Sequence, residues 1–112
     1  MTTAALDRLL LTIEEPLGLS KTELGRLFGV TRQAVDGWHR HGVPPARQAK
    51  AATVAAIADL LAHRLKRERI PGLARRPARA YGGLTMLEMV ERNRHDELHA
   101  LIRRSFDWAS TA

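Results

Sequence analysis

Few residues in this 112-residue sequence have types and spacings that could support catalysis or metal binding. His95 and His99 are four residues apart, a helical spacing at which two imidazoles can bind one metal ion. No third ligand accompanies them, so solvated histidines are the favoured interpretation. Glu14 and Glu15 are adjacent and cannot share a helix face, which argues against a general acid/base pair. No nucleophile–base pair, phosphate-binding loop or dinucleotide fingerprint is present, so we expect neither an enzyme nor a bound cofactor.

The strongest structural signal is a pair of short helices predicted between Leu19 and Gly42. Ser20 and Glu23 have the S-x-x-E spacing of a capping box, which predicts a helix start. Gly29 then ends this first helix, because a residue without Cβ tolerates the left-handed conformation of a sharp stop. Thr31 can cap the second helix. Two capped helices about a glycine turn predict a helix-turn-helix, with an ordinary helical hairpin as the alternative.

The stretch resembles the helix-turn-helix of Cro-like phage repressors and of the wider Xre class of bacterial regulators. The matching residues are L-x-x-x-E-L-x-x-x-F-G-V-T-R-Q-A-V-x-x-W, followed by G-V-P at 42–44. In that family the second helix enters the major groove of DNA, and its first residues contact bases. The resemblance implies that Arg32 and Gln33 contact bases, while Thr31 and Lys21 lie near phosphates. Arginine can form two hydrogen bonds with guanine and glutamine two with adenine, which agrees with those roles.

Two roles are open to Asp36, one helical turn further along. Its carboxylate either accepts a hydrogen bond from cytosine N4 or orients Arg32 through an i,i+4 pair. Orientation is favoured, because a carboxylate near phosphates is electrostatically unfavourable. Gly37 departs from the family, which often has a longer polar, base-contacting residue there, and this limits the expected base contacts. Arg40 and Arg47 complete the predicted DNA-binding set, with Arg47 in the first turn of the next helix.

The composition indicates a soluble protein with a basic surface. There is no cysteine, so neither a disulfide framework nor a thiolate zinc site is expected. No segment has the pattern of a signal peptide or a membrane span, so we expect a cytoplasmic protein without a membrane partner. The net charge of +6 and the pI near 11 suit a polyanionic partner. Residues 1–50, 51–80 and 81–112 carry net charges of +2, +5 and −1, so the middle of the chain is the most basic.

The whole sequence predicts an all-α fold in three regions. Residues 1–69 combine a first helix, the helix-turn-helix and a long alanine-rich helix over 46–69. Residues 70–83 are rich in proline and glycine and are predicted to form a linker or extended loop. Residues 84–112 predict two short amphipathic helices, the first capped by Thr85. Such helices bury little surface alone, so they must pack against the upstream helices, a second copy or another protein.

The C-terminal region is similar to the toxin-binding domain of Xre/ParS-type antitoxins. The similarity lies in the paired glycines at 82 and 83, the T-x-L-E helix start, a short polar turn and the F-D-W ending. It implies an antitoxin whose partner is a RES-type toxin, which consumes NAD. The residues predicted to bind the toxin are Leu84, Leu98, Ile102, Phe106 and Trp108.

The sequence is compatible with three functions. The first is an antitoxin of a type II toxin–antitoxin system that also represses its own operon through the helix-turn-helix. The second is a stand-alone phage or prophage Cro-like regulator, and the third is an adaptor that no longer binds DNA. Phe106 and Trp108 are either aromatic anchors of an interface or caps on the domain's own core. A homodimer is expected, because one helix-turn-helix reads few base pairs and related repressors bind paired half-sites of double-stranded DNA.

Overall fold

The protein is described here by a computed structural model that covers the backbone of residues 3–111 and the side chains of residues 8–107. This range is all-α, as the sequence predicts, and it contains no strand. Its seven α-helices are α1 (Thr3–Leu17), α2 (Lys21–Phe28), α3 (Arg32–His41), α4 (Pro45–Arg64), α5 (Ile70–Ala74), α6 (Met86–Glu91) and α7 (His95–Thr111). Two 3₁₀ turns, Arg67–Arg69 and Arg79–Tyr81, lie before and after α5.

Side-chain caps define the boundaries of α2 and α3. The Ser20 hydroxyl accepts a hydrogen bond from the Glu23 amide at 3.1 Å, and a Glu23 carboxylate oxygen accepts one from the Ser20 amide at 3.1 Å. Gly29 ends α2 with a φ of 68°, and the Thr31 hydroxyl then accepts from the Ala34 amide at 3.1 Å. The predicted capping box, glycine stop and second cap are therefore confirmed, and α2 and α3 form a helix–turn–helix unit.

Within this unit α2 closely approaches the turn at Gly25. A Cβ added there would meet the carbonyl oxygen of Val30 at 2.7 Å and the backbone carbonyl of Thr31 at 3.3 Å. Both contacts are with backbone atoms of the turn, so no side-chain rotation could relieve them. Glycine is therefore required at this position by the close approach of the helix to the turn.

We expect Gly25→Ala to lower the free energy of unfolding by about 1–3 kcal/mol, because the turn must shift to admit the methyl group. This loss opposes the gain in helix propensity that alanine brings, about 1 kcal/mol. Urea denaturation measures the change. Gly37→Ala is the matched control on α3, since a Cβ at Gly37 meets no atom within 4 Å. If both variants were at least as stable as the wild type, the turn would accommodate a methyl group at position 25 without a loss of stability.

The segment after α4 differs from the predicted linker. The long helix ends at Arg64 rather than residue 69, because Leu65 adopts an extended conformation. After a 3₁₀ turn the chain forms the short helix α5, in which Ile70 and Ala74 are fully buried. Proline occurs in the first turn of α5, where its missing amide hydrogen costs no hydrogen bond. The prediction of an extended loop was wrong for 70–74 because these apolar residues pack against α1.

One hydrophobic core includes residues from all three predicted regions. α1 and α7 both pack along α4, and α6 packs against α2. The predicted Thr85 capping box is present, with the hydroxyl accepting from the Glu88 amide at 3.0 Å. Met89 and Leu98 are fully buried in the same core as Leu24 and Val35 of the helix-turn-helix. The C-terminal helices therefore pack against the upstream helices.

Candidate nucleic-acid interface

The first turn of α3 carries the side chains that the sequence predicts as base readers. Arg32 and Gln33 are both exposed, and neither side chain forms a hydrogen bond or ion pair with the described part of the chain. Thr31 is also exposed, and its oxygen already accepts the capping hydrogen bond from Ala34. Its hydroxyl hydrogen is left to donate to a phosphate oxygen. This end of α3 thus has the polar groups and the exposure that contact with a DNA groove requires.

Asp36 pairs with Lys21 rather than with Arg32. The Lys21 ammonium donates to the Asp36 carboxylate at 2.6 Å, with side chains 44% and 35% exposed respectively. This hydrogen bond and the attraction of the Lys21 charge hold the pKa of Asp36 below its ordinary value. The predicted i,i+4 orientation of Arg32 by Asp36 was therefore wrong, because the first residue of α2 lies beside the middle of α3. Lys21 must share its charge between Asp36 and any phosphate it contacts.

We expect Asp36→Asn to strengthen binding to random duplex DNA, because it removes a negative charge and releases Lys21 for phosphate contact. The slope of log affinity against log salt concentration should steepen by about one unit. Titration of a labelled random duplex at several salt concentrations measures both quantities. Glu91→Gln, which neutralises an exposed acid on α6, is the control. Weaker binding confined to the operator would instead assign Asp36 to direct contact with cytosine.

A second side-chain contact joins the other end of α3 to α1. His39 Nε2 lies 2.7 Å from the Glu14 carboxylate on α1, and both side chains are largely buried, at 22% and 14% exposed. Burial raises the pKa of Glu14, and attraction to His39 and Lys21 opposes that rise. Asp36 and His39 are one turn apart on α3, so the helix is held to α2 and α1 along one face. Sequence reasoning missed this pair, since no spacing rule connects residues on two different helices.

Arg47 and Lys50 are half-buried, and both donate hydrogen bonds to backbone carbonyl groups of the protein itself. Arg47 donates to the Phe28 carbonyl oxygen at 2.7 Å, and Lys50 donates to the Leu27 carbonyl oxygen at 2.6 Å. Both carbonyl groups belong to the C-terminal end of α2, where a helix leaves acceptors unsatisfied. Lys50 also donates to Asn93 at 2.9 Å and lies 5.0 Å from the centre of the Phe28 ring. Arg47 is therefore a capping residue for α2, whereas Arg40 is exposed on the last turn of α3.

The predicted toxin-binding residues divide into two groups. Leu98 and Ile102 are 0% and 3% exposed, so they are core residues and offer no surface to a partner in this conformation. Leu84 and Phe106 are half-buried, and the guanidinium of Arg64 lies 5.5 Å from the centre of the Phe106 ring. The side chain of Trp108 lies outside the described residues. Sequence reasoning recognised the apolar face of α7 but could not tell core from interface.

Two further sequence expectations concern metals and membranes. The described residues bring no third histidine, cysteine or carboxylate ligand to His95 and His99. Burial lowers the pKa of His95, which favours its neutral form. Among the described helices none has the length and apolar character needed to cross a lipid bilayer.

The fold and the helix-turn-helix together define a helical protein related to components of toxin–antitoxin systems. The chain is similar to a chain of the MbcT–MbcA toxin–antitoxin complex of M. tuberculosis, with a TM-score of 0.72 and 25% sequence identity. The match covers 88% of this chain and 90% of the other. No protein-family model matches the sequence, and no curated protein sequence matches it either.

Proposed function

We propose that the protein is the antitoxin of a type II toxin–antitoxin system. The observation that carries this proposal is the similarity over nearly the full length to a chain of a toxin–antitoxin complex. The antitoxin role, rather than the toxin role, is supported by the helix-turn-helix with exposed Arg32 and Gln33 at the start of α3. Exposed arginine and glutamine at the start of a recognition helix suit a subunit that regulates transcription.

We assign two activities to this one cytoplasmic chain. The helix-turn-helix represses the operon that encodes the antitoxin, and the chain neutralises its toxin by direct binding. The resemblance of residues 82–108 to Xre/ParS-type antitoxins extends the proposal to a RES-type toxin that consumes NAD. Two copies bind the operator, with the two α3 helices in half-sites about one DNA turn apart, roughly 34 Å.

Co-expression with the toxin-like reading frame next to the gene tests the neutralisation activity. We expect the wild-type chain to restore growth and to co-purify with the toxin. A promoter fusion to the same operon tests repression, and Arg32→Ala/Gln33→Ala should relieve repression while still restoring growth. Growth arrest in the presence of the wild-type chain, at normal expression, would refute the antitoxin role.

The burial of Leu98 and Ile102 supports a second candidate, a stand-alone Cro-like regulator. With those side chains in the core, α7 has a structural role that needs no toxin. This candidate predicts operator binding and repression, no toxin-like reading frame beside the gene, and no growth rescue. Co-purification with a toxin separates the two candidates, because only the antitoxin forms a stoichiometric complex.

A further inference from the structure

The net positive charge of the protein is concentrated in one segment after the middle of α4. Residues 64–79 contain seven Lys or Arg residues and one acidic residue, so their net charge of +6 equals that of the whole chain. Arg75 is used internally, donating to the Leu17 carbonyl at 2.9 Å and to Glu23 at 2.9 Å. Arg69 and Arg76 are exposed, and their guanidinium groups form no hydrogen bond or ion pair with described residues. They are therefore available to an anionic partner.

These two arginines border a groove that has an apolar floor. A hollow of about 460 Å³ is lined by Leu65, Leu73, Arg69 and Arg76, together with Gly72 and Glu68. A second hollow of about 210 Å³ shares Leu65 and Leu73 and continues towards Tyr81 and Phe106. We refer to the two together as the α4–α5 groove. It offers half-buried leucine and aromatic surface beside unpaired guanidinium groups.

The groove is well separated from the reading end of α3. α4 has 20 residues and is therefore about 30 Å long. Its first turns cap the C-terminal end of α2 through Arg47, next to the turn that leads to Arg32. The groove lies at the opposite end of α4, beside Leu65. A duplex held by α3 therefore does not account for the positive charge around the groove.

The α4–α5 groove has positive charge at its border and an apolar floor, and its binding partner must be complementary to both. A DNA backbone would use the arginines but leave the leucines without a partner. A protein segment with an apolar side chain flanked by carboxylates satisfies both, since carboxylates pair with guanidinium groups and apolar surface covers leucine. We propose that the α4–α5 groove binds an acidic, apolar segment of the toxin. This inference rests on the proposed antitoxin function. It assigns the partner's contact to a groove of which the sequence predicted only Phe106.

The test is the affinity of the purified chain for the toxin encoded beside it, measured by titration calorimetry. Arg69→Glu/Arg76→Glu should weaken the complex by roughly tenfold or more, and the loss should shrink as salt is raised. The matched control is Arg26→Glu/Arg92→Glu, which changes the net charge equally at exposed sites on α2 and after α6. The control should bind the toxin like the wild type. Melting curves confirm that both variants are folded.

A second measurement does not depend on any variant. Phenylglyoxal modification followed by mass spectrometry should label Arg69 and Arg76 in the free wild-type chain and label them far less in the toxin complex. Arg92 should be labelled equally in both states. The contrary result is that duplex DNA protects Arg69 and Arg76 from labelling, while Arg69→Glu/Arg76→Glu binds the toxin as tightly as the wild type. That result would assign the groove to nucleic acid and overturn the inference.

The remaining outcomes distinguish the two proposals from each other. Toxin binding that is equally strong in the wild type and in Arg69→Glu/Arg76→Glu would refute the groove and leave the antitoxin function standing. Equal weakening by both double variants would mean that net charge alone is responsible, which also refutes the groove. A wild-type chain that does not bind the toxin would refute the antitoxin function itself.

Discussion

Replacing both Arg32 and Gln33 by alanine is expected to remove the preference of this protein for its operator over random DNA. Each side chain is exposed at the first turn of α3 and is free of hydrogen bonds within the described residues. Loss of one bidentate base contact costs about 1–3 kcal/mol, so each single substitution should weaken operator binding by that amount. Electrophoretic mobility shifts with operator and random duplexes measure the difference.

The structure also explains why these substitutions should act locally. α3 is held to α1 by the Glu14–His39 pair and to α2 by the Lys21–Asp36 pair, so its position does not depend on Arg32 or Gln33. Helix content and melting temperature should therefore remain those of the wild type. Arg104→Ala, which removes an exposed arginine from α7, is the control. If the substitutions weakened the affinity for operator and random DNA equally, Arg32 and Gln33 would contact phosphates and not bases.

Leu98→Ala is expected to have the largest effect on stability among the C-terminal substitutions. Leu98 is 0% exposed and lies in the core between α7 and α4, where truncation to alanine leaves a cavity. Such substitutions cost about 2–5 kcal/mol of unfolding free energy. That is a large fraction of the 5–15 kcal/mol typical of a domain, so the variant should melt at a much lower temperature.

Urea denaturation of Leu98→Ala beside Leu101→Ala provides the measurement. Leu101 is only partly buried on the same helix, so its truncation should cost less. Any loss of toxin binding by Leu98→Ala should follow its loss of folded protein and recover at low temperature. If Leu98→Ala were as stable as the wild type but did not bind the toxin, Leu98 would belong to the toxin interface rather than to the core.

The sequence by itself determined the helix-turn-helix and the all-α class. The caps of α2 and α3 depend on Ser20, Glu23, Gly29 and Thr31, which act on backbone groups no more than four residues away. Interactions of this range depend on residue type and spacing alone. For the same reason the Thr85 capping box was predicted correctly.

Only the tertiary structure decided which charged and apolar groups meet across helices. Asp36 pairs with Lys21, His39 with Glu14, and Arg47 caps α2, although each of these contacts joins residues on different helices. Likewise, burial of Ile70 against α1 turned a predicted loop into α5. Periodicity identifies an apolar face, but the neighbouring helices determine whether that face is core or surface. Such pairings depend on how helices cross, which is the result of packing the whole core and is not encoded in any local spacing.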